Sequence, residues 1–137
     1  MTETGDKETA ILGLIETFVA SWNAVDARKL ASTFAADADF TAISGRHMRG
    51  RGLVERGHGE ILATIYRGTK LAANIESVRF LRPDVAVLDV KFILRKEDGS
   101  LVFGIPHTSA GVIATEDSGV WAIAVFRNMV PFSRPVA

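Results

Sequence analysis

His58 is the residue whose type and setting best suit chemistry. It shares helical spacing with Val54, Ile61, Leu62 and Ile65, which puts an imidazole on the inward face of an amphipathic helix. An inward histidine can act as acid, base or ligand donor. The competing role is a core histidine satisfied by a backbone carbonyl or a neighbouring hydroxyl. Trp22, Phe40 and Tyr66 offer apolar bodies to a ligand, and Trp22 and Tyr66 add a polar handle that can orient it. Core packing is the alternative for each, and the stronger one for Trp22, which continues its helix stripe without a break.

Arg127 and Asn128 follow Trp121, Ile123 and Val125 on the last strand, so alternation turns one of the two inward. With Trp121 and Ile123 in the core, Arg127 is the inward one and needs a carboxylate or an anionic ligand. A bulge exchanges the two, and pairing across the sheet with Asp89 or another acid is the alternative for Arg127. His107, between Pro106 and Thr108, faces either a cavity or a dimer partner. The expected site is therefore His58 as the proton-transfer group, with Trp22, Phe40, Tyr66, His107, Arg127 and Asn128 as ligand-binding residues.

Other constellations carry less. The three histidines, at 47, 58 and 107, share no ligand spacing, so no metal is expected. Asp37 and Asp39 fall on one face where a helix turns into a strand, a usual place for exposed acids. Gly50-Arg51-Gly52-Leu53-Val54-Glu55 imitates a dinucleotide fingerprint, but Glu55 replaces its third glycine and no parallel βαβ unit follows, so no cofactor is expected. Arg46, Arg49, Arg51 and Arg56 form a basic cluster that suits either a phosphate or carboxylate at a pocket rim or a solvated face.

Composition bounds these options. The chain has 137 residues, 47% of them hydrophobic, which suits one domain spanning 1–137, with 1–6 as a flexible N-terminus. Sixteen basic residues balance sixteen acidic ones, so no global field draws it to nucleic acid or an anionic membrane. Without cysteine there is no thiolate chemistry and no disulfide. The polar N-terminus lacks signal-peptide features and no apolar run is long enough to span a bilayer, so a cytoplasmic location is expected.

The elements that must position the site follow from periodicity. Ile11, Leu14, Ile15, Phe18, Val19 and Trp22 make one stripe on a first helix starting near Thr4 or Asp6. Asp26 caps a short second helix with Ala27, Leu30, Ala31 and Phe34 inward. A strand from Asp39 to Ser44 turns at Gly45-Arg46-His47, and the helix carrying His58 ends before Gly68. Four strands follow, Leu71 to Leu81, Val85 to Arg95, Leu101 to Thr115 and Val120 to Val130, with turns at Pro83 and Asp98-Gly99. The third would reach roughly 50 Å if straight, so it must bend at Gly104, Pro106 or Gly111. The expected fold is α+β, a strongly curved antiparallel or mixed sheet with three helices from the N-terminal half in its concavity and a cone-shaped cavity between.

Phe18 with Trp22-Asn23 and Asp26, then Phe34-Ala35-Ala36-Asp37-Ala38-Asp39-Phe40, Gly45, Gly50-Arg51, His58, Tyr66, Phe80 to Ala86, Trp121-Ala122-Ile123 and Arg127-Asn128 span nearly the whole chain. In that order and spacing the sequence resembles the nuclear transport factor 2-like superfamily, with its cystatin-like fold and SnoaL-like members, and looks closest to the SgcJ/EcaC group. The resemblance implies a pocket between helices and sheet, and a homodimer through the convex sheet face. It also implies where the ketosteroid isomerases of that superfamily keep their base, and there this chain has Ala42, which removes their mechanism. Two functions remain expected: a cofactor-free domain binding a small hydrophobic or polycyclic organic ligand, with cyclase, isomerase or dehydratase-like acid/base chemistry, or a noncatalytic dimerisation or ligand-binding module.

Overall fold

A computed structural model describes residues 3–132. Helix α1 (Glu3–Asn23) and the short α2 (Ala27–Ala31) form a hairpin, followed by strands β1 (Phe34–Thr41) and β2 (His47–Arg49) and helix α3 (Arg51–Ala63). Strands β3 (Lys70–Arg82), β4 (Val85–Arg95), β5 (Thr108–Asp117) and β6 (Val120–Met129) complete one six-stranded sheet in the order β2-β1-β6-β5-β4-β3. All neighbours are antiparallel except β1 and β6, so the sheet is mixed. The expected α+β architecture is the one observed. Helix α1 lies over β3 and β6, and α3 over β1 and β2.

Residues 3–6, expected as part of a flexible N-terminus, are helical, and Met1 and Thr2 lie outside the described residues. Asp26 is the N-cap of α2, its carboxylate accepting from the Lys29 amide at 3.0 Å. That helix stops at Ala31, so Phe34 is not on its inward face: it opens β1 and is wholly buried there. The β1–β2 turn closes with the Ala42 amide on the Arg46 carbonyl at 2.9 Å, and Gly45 takes the left-handed φ of +86° that this turn requires.

Helix α3 ends at Ala63, leaving Ile65 outside it and 63% exposed, although it still lines the cavity between helices and sheet. The expected bend before β5 is a break: Val102–Gly104 forms a single 3-10 turn and regular pairing resumes at Thr108. Phe103 sits in that turn at φ +54°, a left-handed conformation uncommon for a non-glycine residue.

One face of the sheet is core. Along β4 the buried side chains are Ala86, Leu88, Val90 and Phe92, and along β5 they are Ala110, Val112 and Ala114. A bulge interrupts β6, where Ile113 pairs with Val125 but Ala114 pairs with Ile123, leaving Ala124 as an extra residue. The inward set on β6 is therefore Trp121, Ile123, Phe126 and Asn128.

Candidate ligand-binding site

A cavity of about 220 Å³ lies between the helices and the concave sheet face. Its deep wall is aromatic. Phe126 stacks on Phe40 at 4.7 Å and on Phe18 at 5.4 Å, and Phe92 tilts against Phe126 at 5.8 Å. Pairs at these separations add modestly to the burial energy and hold the wall rigid.

His58 faces this wall from α3, its ring edge-on to Phe40 at 4.8 Å. Its Nδ1 lies 2.9 Å from the Val54 carbonyl oxygen, one turn back on the same helix. Carbonyl oxygens only accept, so Nδ1 carries the proton and Nε2 keeps its lone pair. Burial lowers the imidazole pKa to about 4, the Val54 hydrogen bond opposing this and the Arg46 charge adding to it. At neutral pH the ring is a neutral acceptor. Both roles weighed for His58 thus meet in one side chain: Nδ1 is satisfied as in a core histidine, while Nε2 has no hydrogen bond among the described residues and the residue lines the cavity.

The bulge at Ala124 decides the Arg127 and Asn128 question. Asn128 lines the cavity, and its Oδ1 is buried with no hydrogen-bond partner among the described residues. Arg127 lies on the opposite face, correcting the expectation that alternation brings it inward. There its guanidinium donates to the Asp39 carboxylate at 2.9 Å and to the Asp39 backbone carbonyl at 3.2 Å. The Arg127 guanidinium holds the Asp39 carboxyl below the usual carboxylate range. Its acidic partner is thus Asp39 of β1 rather than Asp89.

Trp22, Phe40, Tyr66 and His107, the expected ligand-binding residues, all line the cavity. The Trp22 indole is not a free handle, because its N–H donates to Thr69 Oγ1 at 3.1 Å, and that hydroxyl donates to the Tyr66 carbonyl at 2.7 Å. Trp22 therefore offers a ligand only its ring, packed against Tyr66 at 5.5 Å. Burial raises the Tyr66 pKa, keeping the phenol protonated. Tyr66 also meets the exposed Phe103 ring edge-on at 6.1 Å, at the open end of the cavity.

The basic cluster disperses. Arg51 donates to the Phe34 carbonyl at 2.9 Å, and Arg49 lies 3.9 Å from Asp39 on the outer face, leaving Arg46 at the cavity rim. Thr108 also lines the cavity. Arg46 was legible as a member of the basic cluster suited to an anion at a pocket rim, whereas Thr108, which opens β5, was not singled out. Asn23 was missed as a tether: its side chain accepts from the Leu71 amide at 2.7 Å and donates to the Leu71 carbonyl at 3.0 Å, tying the end of α1 to the start of β3. Among the described residues no group of three acidic or histidine side chains is placed to hold a metal ion.

No family model and no curated protein matches the sequence. Solved structures do match the whole architecture. A domain of unknown function with a cystatin-like fold from Nostoc punctiforme superposes with a TM-score of 0.86 at 22% identity, covering 92% of this chain and 78% of that one. An uncharacterised protein with a cystatin-like fold from Caulobacter vibrioides gives 0.78 at 27% identity over 91% and 89% of the two chains. A type 2 hexachlorocyclohexane dehydrochlorinase gives 0.77 at 18% identity over 98% and 92%. The chain has the nuclear transport factor 2-like, or cystatin-like, fold. At these identities the nuclear transport factor 2-like fold specifies architecture alone, and chemistry has to be argued from the cavity's own side chains. Among the described residues no helix is long and apolar enough to cross a membrane.

Proposed function

We propose that this chain is a cofactor-free domain that binds a compact, mostly apolar organic molecule in its cone cavity. One observation carries this: His58 Nε2 is an acceptor with no protein donor among the described residues in a mostly apolar cavity, and Asn128, its Oδ1 also unpaired, lines the same cavity. Leaving such groups unpaired costs on the order of 1–3 kcal/mol each, which a ligand hydroxyl or N–H recovers.

The cavity's size limits the occupant. At about 220 Å³ it exceeds the roughly 150 Å³ that takes benzene and falls below the roughly 300 Å³ where drug-sized pockets begin. A single ring with one or two substituents fits, and a polycyclic compound does not. A structural neighbour named for a reaction on hexachlorocyclohexane agrees with a single-ring occupant. In acid/base chemistry of the cyclase, isomerase or dehydratase type, His58 would be the proton acceptor. With its pKa near 4 it is a weak base, so orienting a donor group is its better-supported role.

Trp22 lines the cavity whereas Trp121 packs against Phe80, so a Trp121→Phe variant reports ligand entry through Trp22 fluorescence alone. Cyclohexanol should bind near a millimolar dissociation constant, an order-of-magnitude figure from its few heavy atoms. It should bind more tightly than methylcyclohexane, and His58→Phe should remove that preference. Equal affinity for the two probes would contradict the acceptor-lined cavity.

The residues from Phe18 to Asp26, with Phe34 to Phe40, His58 and Tyr66, also support placing the chain in the SgcJ/EcaC group of the nuclear transport factor 2-like superfamily. A second reading, association through the outer sheet face, is favoured by a cross-strand row in which Val87, Ile113 and Val125 are mutual neighbours with Arg79 and Asp39 at its ends. Such a half-buried apolar row can meet its own copy about a two-fold axis.

A further inference from the structure

We infer that the ligand of this cavity carries a single carboxylate, held at the rim by Arg46, with its ring against the Phe40 and Phe126 wall. This rests on the small-molecule reading above and adds the ligand's charge.

Among the described residues no Asp or Glu lines the cavity, and Arg46 is the only lining side chain with a permanent charge. The neighbouring arginines have protein partners: Arg127 and Arg49 share Asp39, and Arg51 holds the Phe34 carbonyl. Arg46 makes no ion pair among the described residues. Its backbone is fixed in the β1–β2 turn through the Ala42 amide, so the side chain starts from a defined point at the mouth. Its charge reaches inward, since it is one of the causes lowering the His58 pKa. Among the described residues the cavity is thus lined by a cation with no counter-charge, and beneath it by the His58 acceptor.

One guanidinium and no second cation match one delocalised negative charge rather than the double charge of a phosphate monoester. A ring carboxylate also leaves its charge at the exposed Arg46 and its ring against the buried Phe40 and Phe126. A ring hydroxyl or N–H on the same molecule would meet His58 Nε2.

The test compares cyclohexanecarboxylate, its neutral carboxamide and cyclohexanol on the Trp121→Phe protein, with and without Arg46→Gln, following Trp22 fluorescence. Arg46 is exposed, so the variant should keep its fold and thermal midpoint. The carboxylate should bind more tightly than the carboxamide. Arg46→Gln should weaken the carboxylate by about fivefold to tenfold and the carboxamide by less than about twofold, as for a partly screened charge-assisted pair. Raising the salt from about 0.05 M to 0.5 M should weaken only the carboxylate. Equal binding of carboxylate and carboxamide, or a carboxylate affinity unmoved by Arg46→Gln, overturns the anion inference while cyclohexanol binding still upholds the cavity. Failure of all three probes to bind overturns both.

Discussion

The Nδ1 of His58 sits 2.9 Å from the carbonyl oxygen of Val54, four residues earlier on the same helix, and this fixes which nitrogen the cavity sees. The same burial that makes the ring a neutral acceptor makes it costly to protonate. Its pKa falls from 6.5 to about 4, so between those values the unfolded chain binds the proton more readily than the folded one. Stability from His58 is therefore complete above about pH 6.5 and is lost as pH falls toward 4, a total of roughly 3 kcal/mol. Urea unfolding at a series of pH values should show this loss, and a His58→Phe variant should remove most of it. An unchanged pH slope in that variant would contradict the buried neutral imidazole.

Arg127 and Asn128 are adjacent in sequence and should behave as strangers. Arg127→Met should leave cyclohexanol affinity within about twofold, because the side chain serves the outer face. It should raise the Asp39 pKa toward its ordinary value, visible in a carboxyl NMR titration. Asn128→Leu should lower cyclohexanol affinity several-fold with no effect on Asp39. The reverse pattern would mean that the β6 bulge is misplaced.

Asn23 is a structural tie. Its amide makes two hydrogen bonds to the Leu71 backbone in a half-buried setting, so Asn23→Ala should cost about 1–3 kcal/mol by chemical denaturation. A loss under about 0.5 kcal/mol would show that water replaces the tether.

The proposed association through the outer sheet face turns on Ile113, flanked by Val87 and Val125. Light scattering should give a dimer for the wild-type chain and a monomer for Ile113→Lys, with unchanged circular dichroism. A wild-type monomer at all concentrations would exclude this interface.

Much of this was legible in the sequence, for physical reasons. Helical spacing put His58 on the inner face of α3, and Asp26 announced its cap, because both depend on residues within one turn of chain. The length of the segment from Leu101 to Thr115 forced a break, although not its form, a 3-10 turn with left-handed Phe103. Phe34 was drawn to the wrong element since an apolar residue three places after Ala31 continues a helical stripe and also starts a buried strand. Arg127 and Asn128 were legible only as a pair. A strand's two-residue period is exact until one extra residue is inserted, and nothing local to Ala124 reveals that β5 opposes Ile123 and Val125 with successive residues. The Asn23 and Thr69 bonds join residues 47 or more positions apart, a separation that no local pattern encodes.

Nitrogen-15 NMR of the His58 ring at neutral pH during a cyclohexanol titration reads the ligand-facing Nε2 directly. The ring should be protonated at Nδ1, and its lone-pair Nε2 resonance should move upfield with ligand while Nδ1 stays put. Saturation of the Trp22 signal with both ring nitrogens unmoved, or a ring protonated at Nε2 before ligand is added, would contradict a ligand-facing Nε2.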